Sequence, residues 1–397
     1  MHRQLAVFVG AAIAAGLAGC APHATPIGPG QVYQPDEREQ RLWRTGEGFS
    51  NELQGSGKLY HDPVVQQYVQ TVLNRLIGEY RSAYVPLKVR VFVVEAPSIN
   101  AFALPQGDIY LHTGILSRMR SEAQLAMVLG HEITHSTHRH SYLCNEQAYA
   151  QSGTLSYISV MSTVGGGNIQ NVVNSIGTLM ATAAVSGYGR EKEREADQVG
   201  LALVAQAGYD PAEGAKMFQQ MLEATDKADR NWSLFYATHP RMKERVADSS
   251  LLITQLPAEL ASQAKDIGRE RYVAVCGPLI YDEVERHIAQ GKYVLAEETL
   301  KYLAGVAPSA LTRAYFGDLY RARWASGDDV RARTAYDEAL AADGRCAPAH
   351  RGLGLLLAKS GDKAGAVGQL RQYLAAAGTA KDAGYIQQYV NQLSKAN

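Results

Sequence analysis

His131-Glu132-Ile133-Thr134-His135 sets two imidazoles four residues apart, with a carboxylate next to the first. On a helix such residues share a face, so both rings reach a single ion. Zinc takes nitrogen, sulfur or oxygen donors in a tetrahedral array, and a catalytic site keeps one position for water. Glu132 would then accept the proton of that water as it attacks a carbonyl. The same five residues also arise by chance on exposed helices. A third ligand is therefore the test of the reading.

Three continuations can be compared. One class of zinc protease needs a glycine at position 138 and a histidine at 141. This chain has His138 and Ser141, which excludes it. A thiolate ligand would need a patterned cysteine nearby, and nothing surrounds Cys144. The third continuation is a glutamate from a downstream helix, supplied by Arg190-Glu191-Lys192-Glu193-Arg194-Glu195-Ala196-Asp197. Glu193 and Asp197 are four apart and share a face. Taken alone, however, this acidic–basic run reads as a solvated, salt-bridged helix surface. His138 and His140 are carried round a continuous helix, away from the His131/His135 face, and are expected behind the site or at the surface. His23, His61, His112, His287 and His350 have no motif around them.

These residues need particular elements to hold them. Ser121-Glu122-Ala123-Gln124 has capping-box spacing and opens a helix that runs through Leu125, Val128 and Leu129 into His131. The acidic run continues helically through Val199, Leu201 and Leu203. Upstream, helical patterns cover residues 36–53 and 62–80. Leu87–Glu95 reads as a strand, and Asn100–Leu104 and Asp108–His112 as two more, separated by the turn signal Pro105-Gln106-Gly107. Residues 147–189 carry no charged side chain. Their Ser, Thr, Asn and Gln content argues against a membrane span. The stretch reads equally as a lid over the site or as a buried core hairpin.

Taken together, His131–His135, Glu193 to Asp197 and Asn100-Ala101-Phe102-Ala103-Leu104-Pro105 resemble the HtpX-type gluzincin metalloendopeptidases, over roughly residues 36–250. The resemblance implies an α+β zincin domain that binds one zinc ion per chain. It makes Glu193 the third ligand and Asp197 a supporting carboxylate, and leaves Glu191 and Glu195 facing solvent. It also covers Thr238-His239-Pro240 with Arg245 six residues after the histidine. In such proteases this pair lies near the zinc, where His239 can take the fourth metal position or, with Arg245, hold a developing oxyanion. Read locally, His-Pro also simply begins a helix. Asn100–Leu104 would be the edge strand that pairs with an extended substrate.

The remainder of the chain concerns address and partners. A cationic start, an apolar stretch from Leu5 to Ala18 and Leu17-Ala18-Gly19-Cys20 resemble a bacterial lipoprotein signal, with Cys20 acylated and residues 1–19 removed. By the same resemblance, Ala21 favours the outer membrane of a Gram-negative envelope. Pro, Gly and Ala dominate residues 20–35, which read as a tether. Ser326-Gly327-Asp328 recurs 34 residues later as Ser360-Gly361-Asp362, with Ala332 and Ala366, then Tyr336 and Leu370, in phase. A weaker copy runs through Gly291, Ala296 and Leu300. That period is the mark of tetratricopeptide repeats, stacked helix pairs with a concave face.

The expected architecture is therefore mainly α with a small β-sheet. A catalytic domain over 36–255 precedes an all-α repeat domain over 256–397. Lys+Arg and Asp+Glu balance at 39 each, which argues against nucleic-acid binding. Cys144, Cys276 and Cys346 allow at most one internal disulfide. By resemblance the chain cleaves unfolded or stalled envelope proteins, with outer-membrane assembly machinery as a partner of the repeats. The competing expectation is a non-proteolytic assembly factor that works through the repeats alone.

Overall fold

A computed structural model describes residues 24–28, 32–78, 87–152, 189–226, 242–377 and 380–395. The signal stretch with Cys20, most of the uncharged run and His239 lie outside them. Two capped helices come first. Asp36 caps α1 (Glu37–Gly55) by accepting from the Arg38 and Glu39 amides, and Asp62 caps α2 (Pro63–Ile77), with proline at its first position. Three short strands follow: β1 (Arg90–Val94), β2 (Ala101–Ala103) and β3 (Asp108–His112). β3 is central, parallel to β1 and antiparallel to β2. All three lie within the expected segments, each trimmed to its paired residues or matching them.

Register puts Phe92 opposite Tyr110 and Tyr110 opposite Phe102. Their rings stack at 5.3 and 5.1 Å, an aromatic ladder across the sheet that pins the edge strand β2. This face meets Phe49 and Leu53 of α1. Val91, Val93, Ala101, Ile109 and Leu111, pointing the other way, join the main core with α2 and the helix that follows.

That helix is α4 (Glu122–Thr137), reached through the short turn of α3 (Thr113–Leu116), and all of its residues are buried. Ser121 caps it by accepting from the Gln124 amide at 3.2 Å. The reciprocal bond is displaced by one residue, because Gln124 Oε1 accepts from the Arg120 amide. After α5 (His140–Ser152) come α6 (Arg190–Gln206), α7 (Ala212–Asp226) and α8 (Met242–Thr254). Gly130 of α4 and Gly200 of α6 let these two helices cross backbone to backbone. A Cβ on Gly200 would lie 3.0 Å from the His131 nitrogen.

The remaining helices, α9 (Ala258–Gln263) to α16 (Ala383–Lys395), form the all-α region: α10 is Arg269–Ala289, α11 Tyr293–Val306, α12 Ala310–Arg323, α13 Asp328–Ala342, α14 Ala347–Lys359 and α15 Lys363–Ala377. Gly291, Gly327 and Gly361, in phase in the repeat, all turn with positive φ (71°, 79° and 90°). Ala296, Ala332 and Ala366, with Leu300, Tyr336 and Leu370, are fully buried. Tyr336 fills the space left by Gly317 and Gly352, where a Cβ would overlap its ring.

The expected boundary after residue 255 falls between α8 and α9, but apolar packing crosses it. Tyr272, Cys276, Ile280 and Leu319 share one core with the sheet and α4. The expected tether is partly packed as well. Ile27 is buried, and its amide donates to the Thr137 carbonyl at 2.8 Å. Cys144, Cys276 and Cys346 are free thiols. No helix among the described residues is long and apolar enough to cross a membrane.

Candidate active site

Helix α4 presents His131 and His135 on one face, and α6 lays Glu193 across from them. The two Nε2 atoms approach to 3.0 Å. Glu193 Oε2 is 3.6 Å from His131 Nε2, and Glu193 Oε1 is 3.5 Å from His135 Nε2. These spacings bracket the roughly 3.3 Å that a tetrahedral ion with bonds of about 2.0 Å imposes between its donors. All three side chains are buried, and they form one donor group with atoms within 4.8 Å of one another. Two imidazoles and a carboxylate suit zinc chemically. Glu132, next to His131, is buried beside them at 2% exposure.

The other nitrogen of each histidine is held from behind. His131 Nδ1 lies 2.9 Å from Asp197 Oδ1. Arg245 of α8 grips Asp197 with two parallel bonds, Nε to Oδ2 at 2.8 Å and Nη2 to Oδ1 at 2.6 Å. Its third nitrogen leans toward Glu193 at 3.7 Å, and its carbon sits 4.4 Å over the Phe218 ring of α7. Burial would raise the Asp197 pKa, but Arg245 and His131 overcome it and hold the carboxyl at about 2. Burial would likewise discharge Arg245, and Asp197 reverses this. The guanidinium is thus engaged behind His131, whereas the resemblance gave it an oxyanion role.

His135 is backed differently. Its Nδ1 lies 2.9 Å from His140 Nδ1, and His140 Nε2 lies 3.2 Å from Glu195 Oε2. His140 lies behind the site, one of the two places expected for it, but no continuous helix carries it there, because α4 ends at Thr137. Arg139 takes a left-handed backbone (φ 58°) and turns the chain back. Glu195 is half-exposed as expected at 46%, yet its carboxylate is committed to His140. That bond leads in holding the Glu195 carboxyl below its ordinary range. His138 caps α4 and lies 3.7 Å from Glu195. Burial pushes its pKa to about 4, against the pull of Glu195.

Sequence reasoning brought together His131, Glu132, His135, Glu193, Asp197 and Arg245, and the structure places all six in one buried cluster. It missed Gly130, Gly200 and Phe218. The two glycines could have been noticed as isolated glycines inside helical runs. Phe218 carries no such signal.

A profile of peptidase family M48 matches residues 63–250. The beta-barrel assembly-enhancing protease of Escherichia coli (strain K12) is 26% identical over 225 residues, which is 56% of this chain and 45% of that protein. A putative beta-barrel assembly-enhancing protease of Vibrio cholerae is 28% identical over 216 residues, 53% of this chain and 44% of its own length. The mitochondrial metalloendopeptidase OMA1 of Schizosaccharomyces pombe is 31% identical over 188 residues, covering 47% and 52%. The chain thus spans about half the length of the curated relatives it matches. The histidine–glutamate cluster falls inside that match, so residues 63–250 of this chain carry a peptidase family M48 domain.

Proposed function

We propose that this protein is a zinc-dependent endopeptidase. The observation that carries the reading is the buried set His131, His135 and Glu193 with Glu132 alongside, since a purely structural site has no use for Glu132. A zinc ion held by the three ligands supplies Lewis acidity to water and to the peptide carbonyl. Glu132 accepts the proton that water loses as its oxygen bonds to the carbonyl carbon. The same carboxyl returns a proton to the amide nitrogen as the C–N bond breaks. Asp197, locked by Arg245, holds His131 in the tautomer whose Nε2 keeps its lone pair.

The substrate in this reading is an unfolded or misassembled polypeptide, taken as an extended strand along β2. The second edge of β2 meets no further strand among the described residues, and Ser136 of α4 bonds the Leu104 carbonyl at 3.1 Å, so this edge runs beside the site. Backbone pairing would select for extension rather than for sequence. Outer-membrane proteins are the proposed substrate class, which the names of the bacterial relatives support. The repeats, read as tetratricopeptide hairpins, would present such clients or dock the assembly machinery. Acylated Cys20 would hold the chain at the periplasmic face of the outer membrane. If so, Cys20→Ser abolishes incorporation of labelled palmitate, and undiminished labelling refutes the anchor.

Glu132→Gln is the deciding variant. Cleavage of unfolded β-barrel protein should fall at least about 100-fold, the scale of a lost general base, with zinc still bound one per chain. If the variant cleaves like wild type, the protease reading fails. If neither protein cleaves and both assist barrel assembly equally, the assembly-factor reading stands in its place.

A further inference from the structure

We propose that His140, backed by Glu195, is a positioning residue that fixes the ring and tautomer of the metal ligand His135. The inference rests on the metallopeptidase reading above and goes beyond it.

The geometry determines where each proton lies. His135 Nε2 faces His131 Nε2 and Glu193 and must keep its lone pair to bind an ion, so its proton sits on Nδ1. His140 Nδ1 lies 2.9 Å from that nitrogen and must then accept its proton. The proton of His140 is therefore on Nε2 and donates to Glu195 Oε2 at 3.2 Å. One orientation of every bond satisfies the chain. His131 has a parallel support through Asp197 and Arg245. Helix α6 thus supplies a ligand, Glu193, and one carboxylate for each histidine support.

The backbone is shaped for this contact. In an uninterrupted helix, the fifth residue after His135 would lie about 140° around the axis. The left-handed Arg139 instead swings fully buried His140 beneath His135. A non-glycine residue in that region is unfavourable and persists only where its surroundings enforce it. Here Glu39 of α1, 1% exposed, accepts two bonds from Arg139 at 2.9 and 2.7 Å. The guanidinium also lies 4.7 Å from the Tyr33 and Tyr142 ring centres. Strain at one residue is held in place so that its neighbour meets a metal ligand.

The test is zinc affinity, read by competition with a chromophoric chelator in the full chain. Outer-shell partners of this kind change metal affinity on the order of 10- to 100-fold, and His140→Leu should weaken zinc by that factor. His140→Asn, whose Oδ1 stands where Nδ1 stood and accepts the same bond, should stay within about threefold of wild type. Thermal midpoints of the two metal-free variants should agree, which separates positioning from a packing role. If His140→Leu binds zinc as wild type does, or His140→Asn binds as weakly as His140→Leu, the inference is overturned. Wild-type protein that binds no zinc brings down the metallopeptidase reading, and this inference with it.

Discussion

His112 closes β3 with its ring against Phe102 and its Nδ1 2.8 Å from Ser98 Oγ. Burial drives its pKa down to about 4, and the Ser98 contact opposes this only in part. The imidazole is neutral in the fold but titrates near 6.5 in the unfolded chain. Because the folded value is the lower one, its contribution is complete above about pH 6.5 and is lost as pH falls toward 4. It amounts to about 3 kcal/mol at most. Urea midpoints measured from pH 7 to pH 4 should fall less steeply for His112→Gln than for wild type. Equal slopes would show that His112 does not carry the dependence. Nothing around His112 in the sequence announces this burial. At this scale the sequence reveals what spacing encodes: His131 with His135, and Glu193 with Asp197, because four residues make a shared helical face. It hides His140, whose position depends on a turn that Arg139 makes without glycine. The force behind that turn, Glu39, stands a hundred residues away.

The crossing of α4 and α6 decides whether three ligands become one site. A Cβ on Gly200 would press on backbone at 3.0 and 3.1 Å, where no flexible side chain can yield. Gly200→Ala should cost about 1–3 kcal/mol, as overpacking does, and push Glu193 away from the histidines with a loss of zinc affinity. Gly48→Ala in α1 is the control: its Cβ meets nothing within 4 Å, and the helix should gain about 0.5–1 kcal/mol. Calorimetry with zinc titration checks both, and a Gly200→Ala protein as stable and as tight as wild type removes the crossing argument. Elements were the most legible level of the sequence. Alternation and a turn signal located β1 to β3, helical patterns opening at Asp36 and Asp62 located two helices, and the cap at Ser121 located a third, because these signals are local. Strand order was not legible. β3 lies between β1 and β2 because the ring of Tyr110 stacks on both Phe92 and Phe102, a contact between segments that sequence spacing does not pair.

The whole molecule joins its catalytic and helical regions through a shared core, which bears on how it can be divided. Helix α10 contributes Tyr272, Val273, Cys276, Leu279, Ile280 and Val284 to the core that also holds α4. The Tyr272 hydroxyl bonds the Leu116 carbonyl, and Glu283, 1% exposed, pairs with Arg118 ahead of α4. Removing one large buried side chain costs about 2–5 kcal/mol, and a domain has only about 5–15 kcal/mol in total. A chain ending after Gln255 should therefore be insoluble or molten, without cooperative unfolding. The last hairpins are different, because Leu370, Tyr373, Ile386 and Val390 form a separate cluster, and stacked repeats depend mainly on their neighbours. A chain ending after Asp343 should remain soluble, unfold cooperatively and hold one zinc, although it loses Gly352 from against Tyr336 and frays at α13. Comparing soluble yield, thermal midpoint and zinc stoichiometry of the two truncations tests the idea. If the shorter chain matches full-length protein on all three, α10 is an appendage and the catalytic core closes without it. If the longer chain also collapses, the repeats stabilise the metal site over a greater distance than neighbour contacts allow.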